Sequence, residues 1–269
     1  VSTSDPTFRN LRSLYSQIER TIAHIVVFDD DEVISQGTGF AFTPDGAVLT
    51  AAHVIAGGFP VRSGEVDLQT RNIVVFFVRQ SLQILYRPAI CPFEIRGAGL
   101  NQPLQLDLAI IHPIETPDAN LEFLTASVEP PSLGDEMYFG GYSDEVEFPF
   151  LLDRHLPSNT EGMDIYKRAL ATGVEKRLTG PIIKRGTVGN LIVGEAKGDS
   201  KGVLKQTLFY LDNQVHSGAS GGPIVDCNGI ARGVISKRMM TRSGDAEVPA
   251  GSTLGIGLDP LGAISVVSG

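Results

Sequence analysis

Tryptophan is absent from this chain of 269 residues, and cysteine occurs only twice, as Cys91 and Cys227. Two cysteines cannot build the dense disulfide framework on which small secreted domains rely. They fall in different halves of the chain, so free thiols and a reducing, cytoplasmic setting are expected. The first residue is not Met, so a removed leader stays open. Long apolar runs are also missing, since no stretch approaches the roughly 18 residues that a membrane-spanning helix needs. Positive charge is scarce: 22 Lys and Arg stand against 31 Asp and Glu, for a net charge of −9. Nucleic acid is therefore not an expected partner, because phosphate binding needs a basic footprint. The five histidines and two cysteines show no ligand spacing, so neither a metal nor another cofactor is expected.

Glycine and proline, by contrast, are plentiful at 30 and 16 residues and are spread along the chain. That pattern suits an all-β protein with many turns. Apolar strand patterns recur at 22–28, 36–43, 46–51, 73–78, 82–86 and 104–111. A proline-rich stretch, 113–132, reads as a crossover. Further strand patterns follow near 135–141, 181–193, 204–212, 223–226, 230–236 and 253–258. Residues 5–20 read as a helix: Asp5 can cap it, Pro6 suits its first position, and Phe8, Leu11, Leu14 or Tyr15, and Ile18 form a stripe for packing. Residues 143–180 fit no strand plan. They open acidic and aromatic and later carry Met163, Tyr166, Leu170, Val174 and Leu178 on one helical face, which makes them a partly helical insertion. A functional role and a plain surface elaboration are both open for it.

Three short motifs carry chemistry. His216-Ser217-Gly218-Ala219-Ser220-Gly221-Gly222-Pro223 sets a serine among glycines, which lets its side chain project from a tight turn. The amides of Gly218 and Ser220 can then point at one spot, as an oxyanion hole requires. His53 follows the apolar run Ala47–Ala52 after the turn Pro44-Asp45-Gly46. Histidine is the side chain whose free pKa lies nearest neutrality, so it suits a general base. Asp107 is flanked by Leu104, Leu106, Leu108, Ile110 and Ile111, and a carboxylate buried there needs a partner. Each residue has a bland alternative: a tight turn for the serine, a core histidine, a capping aspartate. Their conjunction in the order His, Asp, Ser favours nucleophilic catalysis.

These motifs, with Gly37-Thr38-Gly39-Phe40, Leu133-Gly134-Asp135-Glu136, Gly140-Gly141-Tyr142 and Arg185-Gly186-Thr187-Val188, make the chain resemble the chymotrypsin-like serine proteases, and most closely the Deg/HtrA-like branch. The resemblance covers most of residues 20–260. It implies two packed six-stranded β-barrels: an N-terminal helical arm over 1–20, a first barrel over 21–125 and a second over 126–269 that carries the insertion 143–180. It also implies that His53 is the base, Asp107 the orienting acid and Ser220 the nucleophile, with the oxyanion hole at Gly218 and Ser220. Gln214, Val215, His216 and Ser217 would wall the specificity pocket opposite Ser236, Lys237 and Arg238.

A protein or peptide substrate is expected to bind extended along Val234-Ile235-Ser236, and no cofactor is needed. Gln214 replaces the pocket-floor aspartate of trypsin-like members, so cleavage after Lys or Arg is not expected. Lys237 and Arg238 either favour an acidic residue or point to solvent. Ala219 stands where relatives carry Asn or Asp, so activation by a new N-terminus is not expected and Val1–Ser4 reads as a processing edge. No PDZ module is expected after the last strand. Gating by loop rearrangement, an activating partner or additional domains is open, as is a catalytically silent scaffold.

Overall fold

The structure, a computed structural model, describes residues 10–30, 32–61, 68, 70–95, 103–117, 121–144, 179–197, 203–244 and 246–264. Helix α1 (Leu11–Thr21) starts at Asn10, whose side-chain oxygen accepts the Arg12 N–H at 3.0 Å. That bond satisfies one orphan donor of the first turn. The expected cap Asp5 lies outside the described residues, as do Pro6 and Phe8. An isolated 11-residue helix is marginal in water, so tertiary packing must hold it. Leu14 and Ile18 supply that packing in the first barrel's core, each worth about 1.5–3 kcal/mol of burial. Tyr15 meets Tyr138 edge-on at 5.7 Å.

The first barrel closes in the order β1 (Ile22–Asp29), β2 (Glu32–Ala41), β3 (Val48–Thr50), β8 (Ala109–Pro113), β5 (Leu82–Ile90), β4 (Asn72–Phe77). Strand β1 is buried along both faces from Ile22 to Val27, which its nearly unbroken apolar run requires. The second barrel closes as β10 (Ile182–Lys197), β11 (Val203–Leu211), β14 (Ala246–Gly257), β13 (Ala231–Ser243), β12 (Pro223–Asp226), β9 (Glu136–Gly141). Strands β1 and β2 both lie against β9, and one apolar cluster runs from the first barrel to Tyr138, Tyr142, Val225 and Val234 of the second. A short helix α3 (Leu261–Ile264) follows. The two-barrel, chymotrypsin-like plan with an N-terminal helix is thus present.

Two details differ from the sequence reading. The segment 104–111 is not one strand. It breaks at Asp107 into β7 (Leu104–Leu106), which pairs with β6 (Phe93–Ile95) in a separate sheet, and β8. The Leu108 N–H bonds to the Leu106 carbonyl at 2.7 Å, and this tight turn bends the chain. Strands β10, β13 and β14 outrun their expected ends, because paired hairpin backbones stay extended where the side chains are already polar. Of the insertion 143–180, residues 145–178 lie outside the described residues.

Candidate active site

His53 sits on α2 (Ala52–Ala56), one helical turn past the end of β3. Asp107 occupies the break between β7 and β8 and is 8% exposed. The bend aims its carboxylate at His53. Nδ1 of the ring lies 2.9 Å from Asp107 Oδ2, and the His53 backbone N–H donates to Oδ1 at 3.0 Å. A third donor is the Ser236 hydroxyl, 2.6 Å from Oδ2. Burial pushes the Asp107 carboxyl upward, but the bonds and charge of His53 and the Ser236 hydroxyl outweigh it and hold the group below its ordinary value. With Nδ1 committed as donor to the carboxylate, Nε2 is the lone pair left for a proton.

Ser220 lies in the loop between β11 and β12. Its hydroxyl donates to the Ser236 carbonyl at 2.9 Å. Ser236 therefore joins both halves of the cluster, with its side chain on Asp107 and its carbonyl under Ser220. A β-bulge makes this possible. The β13–β14 register steps from Ile235↔Gly255 to Lys237↔Leu254, leaving Ser236 as the extra residue. Bulges re-aim side chains in this way. Gly218 has φ +87°, a conformation strained for any side chain. Among the described residues, neither the Gly218 amide nor the Ser220 amide donates to a protein acceptor.

The remaining expected pocket residues divide. Val215 is 3% exposed and packs in the second barrel's core, so its side chain is not a free pocket wall. The Gln214 carbonyl accepts from Lys184 Nζ at 2.5 Å. His216 and Ser217 are half-buried, and the Ser217 carbonyl accepts the Asp144 N–H at 2.8 Å. Lys237 points to solvent, while Arg238 is half-buried. Val234 cannot be a docking edge, since it pairs with Pro223 on one side and Ile256 on the other. The backbone of Ile235 is likewise engaged by Gly221 and Gly222. Beyond them, over 237–243, β13 pairs with β14.

Sequence reading missed Thr253. Fully buried, its hydroxyl accepts the Val215 N–H at 2.9 Å and donates to the Asn213 carbonyl at 2.8 Å, while its backbone stands opposite Arg238. It ties the 213–215 segment to the β13–β14 pair. No local pattern marks such a threonine. The role of Ser236 as a partner of Asp107 was missed for the same reason. Among the described residues, no three His, Cys, Asp or Glu side chains converge to hold a metal ion. Cys91 and Cys227 are free thiols. Burial first, with the nearby Asp107 charge, pushes the Cys91 thiol up to about 12.

A family model described as "Trypsin-like peptidase domain" matches residues 37–234. The chain is similar in structure to the active form of the Rv3671c protease from M. tuberculosis, with a TM-score of 0.54 and 17% identity, over 93% of this chain and 81% of that one. An inactive serine-to-alanine form of the same M. tuberculosis protein matches with a TM-score of 0.53 and 17% identity, over 100% of this chain and 96% of that one. A further inactive form of this protease gives 0.51 and 17%, over 96% and 93%. At this identity the likeness shows a shared fold. No curated protein matches in sequence.

Proposed function

This chain belongs to the trypsin-like peptidase domain family, and we propose that it is a serine endopeptidase acting through His53, Asp107 and Ser220. The observation that carries this reading is the linked cluster of His53, Asp107, Ser236 and Ser220 beside two amides that have no protein acceptor among the described residues. Ser220 Oγ rests on the Ser236 carbonyl and leaves it to give its proton to His53 Nε2. Nε2 takes the proton as Oγ bonds to the substrate carbonyl carbon. The resulting oxyanion sits against the Gly218 and Ser220 amides. His53 then gives the proton to the leaving amine, and water repeats the sequence on the acyl-enzyme. Asp107 stays ionised and stabilises the imidazolium.

The substrate strand adds to β13 beyond Ile235, with main-chain bonds supplying affinity. The expected wall residues Gln214–Ser217 and Ser236–Arg238 include no acid, so we read a basic side chain as a poor fit and small apolar and acidic residues as the better ones. Activity gated by a loop rearrangement or an activating partner is part of this reading. It is supported by the resting position of Ser220 away from the base, and by a fold neighbour described in both active and inactive forms.

A fluorophosphonate probe tests the proposal. The wild-type protein labels and Ser220→Ala does not. Labelling only after an activator is added establishes gating. A folded wild-type protein that never labels is a silent scaffold, and the reading fails.

A further inference from the structure

Thr38, from the Gly37-Thr38-Gly39-Phe40 motif, touches none of the reacting groups, yet the serine loop is built around it. It lies on β2 in the first barrel and is fully buried. Its backbone N–H donates to the Ser220 carbonyl at 2.9 Å. Its carbonyl accepts the Thr50 hydroxyl at 2.7 Å, three residues before His53. Its own hydroxyl donates to the Gly218 carbonyl at 2.8 Å and accepts the Tyr142 N–H at 3.0 Å. The direction of these last two bonds is forced. Tyr142 N–H can only donate, so the single hydroxyl proton goes to Gly218.

From this geometry we infer that Thr38 is the positioning residue of the oxyanion loop. It fixes the 218–219 peptide, which lies between the two peptides that carry the Gly218 and Ser220 amides, and the 220–221 peptide just beyond them. A trans peptide carries its C=O and N–H on opposite sides. Pinning the Gly218 carbonyl to Thr38 therefore turns the Ala219 N–H the other way, where it meets the His216 carbonyl at 3.3 Å. The preceding peptide is pinned at its Ser217 carbonyl by the Asp144 N–H. The Ser220 carbonyl is pinned by the Thr38 N–H.

With the Ala219 carbonyl accepting the Gly222 N–H at 3.0 Å, the four carbonyls of 217–220 are held, two of them by Thr38. The loop can approach this closely because position 221 is glycine: a Cβ there would lie 2.0 Å from the Thr38 carbonyl oxygen. The holder belongs to the barrel that carries His53, so one side chain references the serine loop to the base across the barrel interface. This inference rests on the reading of Ser220 as nucleophile.

Thr38→Val keeps the branched shape and removes the hydroxyl; Thr38→Ser keeps the hydroxyl and removes the methyl. Phosphonylation of Ser220 is expected to slow about 10²–10³-fold in Thr38→Val, the scale of a lost oxyanion-hole donor. On an ester substrate the loss is expected in kcat with KM little changed. Thr38→Ser is expected to recover most of the rate. If Thr38 were only structural filler, rates would follow thermal stability instead, and the methyl would matter as much as the hydroxyl.

Amide exchange gives a second measurement that does not depend on activity. Exchange at Tyr142 should rise about tenfold in Thr38→Val, the loss of one buried bond, and stay protected in Thr38→Ser. Wild-type labelling rates in Thr38→Val, or an unchanged Tyr142 exchange rate, overturn the inference. If wild-type protein never labels, the peptidase reading fails, and the Tyr142 exchange alone decides whether Thr38 holds the loop.

Discussion

On the first barrel's side of the cleft, Asp107 takes hydrogen bonds from the His53 ring, the His53 amide and the Ser236 hydroxyl. On the second barrel's side, the Ser220 hydroxyl makes one bond, to the Ser236 carbonyl. The difference follows from charge. An ionised carboxylate at 8% exposure is tolerable only when its lone pairs are filled, so its neighbours must be locked. A neutral hydroxyl loses about one modest bond when it swivels, so it can wait on one acceptor and act on another. The Asp107–His53 side is held by several bonds, and the Ser220 hydroxyl by one.

Replacing Ser220 by Ala removes the hydroxyl held by one bond. Turnover of a fluorogenic peptide should fall by about 10⁶-fold while circular dichroism and melting stay near wild type, because the Asp107 donors remain. Normal turnover by this variant would falsify the assignment. Asp107→Asn attacks the side held by several. An amide cannot accept from all three donors, and kcat should drop by about 10⁴-fold.

The pocket on the second barrel's side supplies the third test. Cleavage after Lys or Arg should be at least about a hundredfold slower than after the preferred residue, since an unpaired cation costs several kcal/mol to desolvate. A peptide-library digest dominated by basic cuts would show that an acid from outside the described walls reaches the pocket.

Ser236→Ala probes the shared residue with the smallest effect. Its carbonyl still receives Ser220, but the Asp107 carboxylate loses a donor, so urea unfolding should report about 1.5–3 kcal/mol less stability at neutral pH. The sign with pH follows from the depressed Asp107 value. Its stabilisation is complete above the unfolded carboxyl value of about 4 and is lost as pH falls through the lower folded value. The wild-type and Ser236→Ala curves should therefore converge in acid. A gap that is constant with pH would mean that the Ser236 hydroxyl stabilises something other than the carboxylate.

Much of this comparison was visible along the chain. The apolar run of β1, the Pro44-Asp45-Gly46 turn and the glycines about Ser220 each act within a few residues, so local pattern reports them. The bend at Asp107 was hidden, because its leucine and isoleucine flanks read equally well as a continuous strand. The helix start at Asn10 was hidden because the upstream Asp5-Pro6 offered a cap of its own. The pocket side chains were hidden too: Val215 lies in a loop and Lys237 in a strand, yet one turns into the core and the other into water.

The sequence by itself determined the strand-rich class, the net charge of −9, and the three residues on which the proposed chemistry rests. Which atoms hold them was decided only by the tertiary structure. Thr38 reaches Gly218 across 180 residues, and Ser236 reaches Asp107 across 129. Such bonds depend on barrel closure and on a one-residue register step in β13. A bulge of that kind turns a side chain by the geometry of its partner strand, and the residues next to it carry no local mark of where that partner will lie.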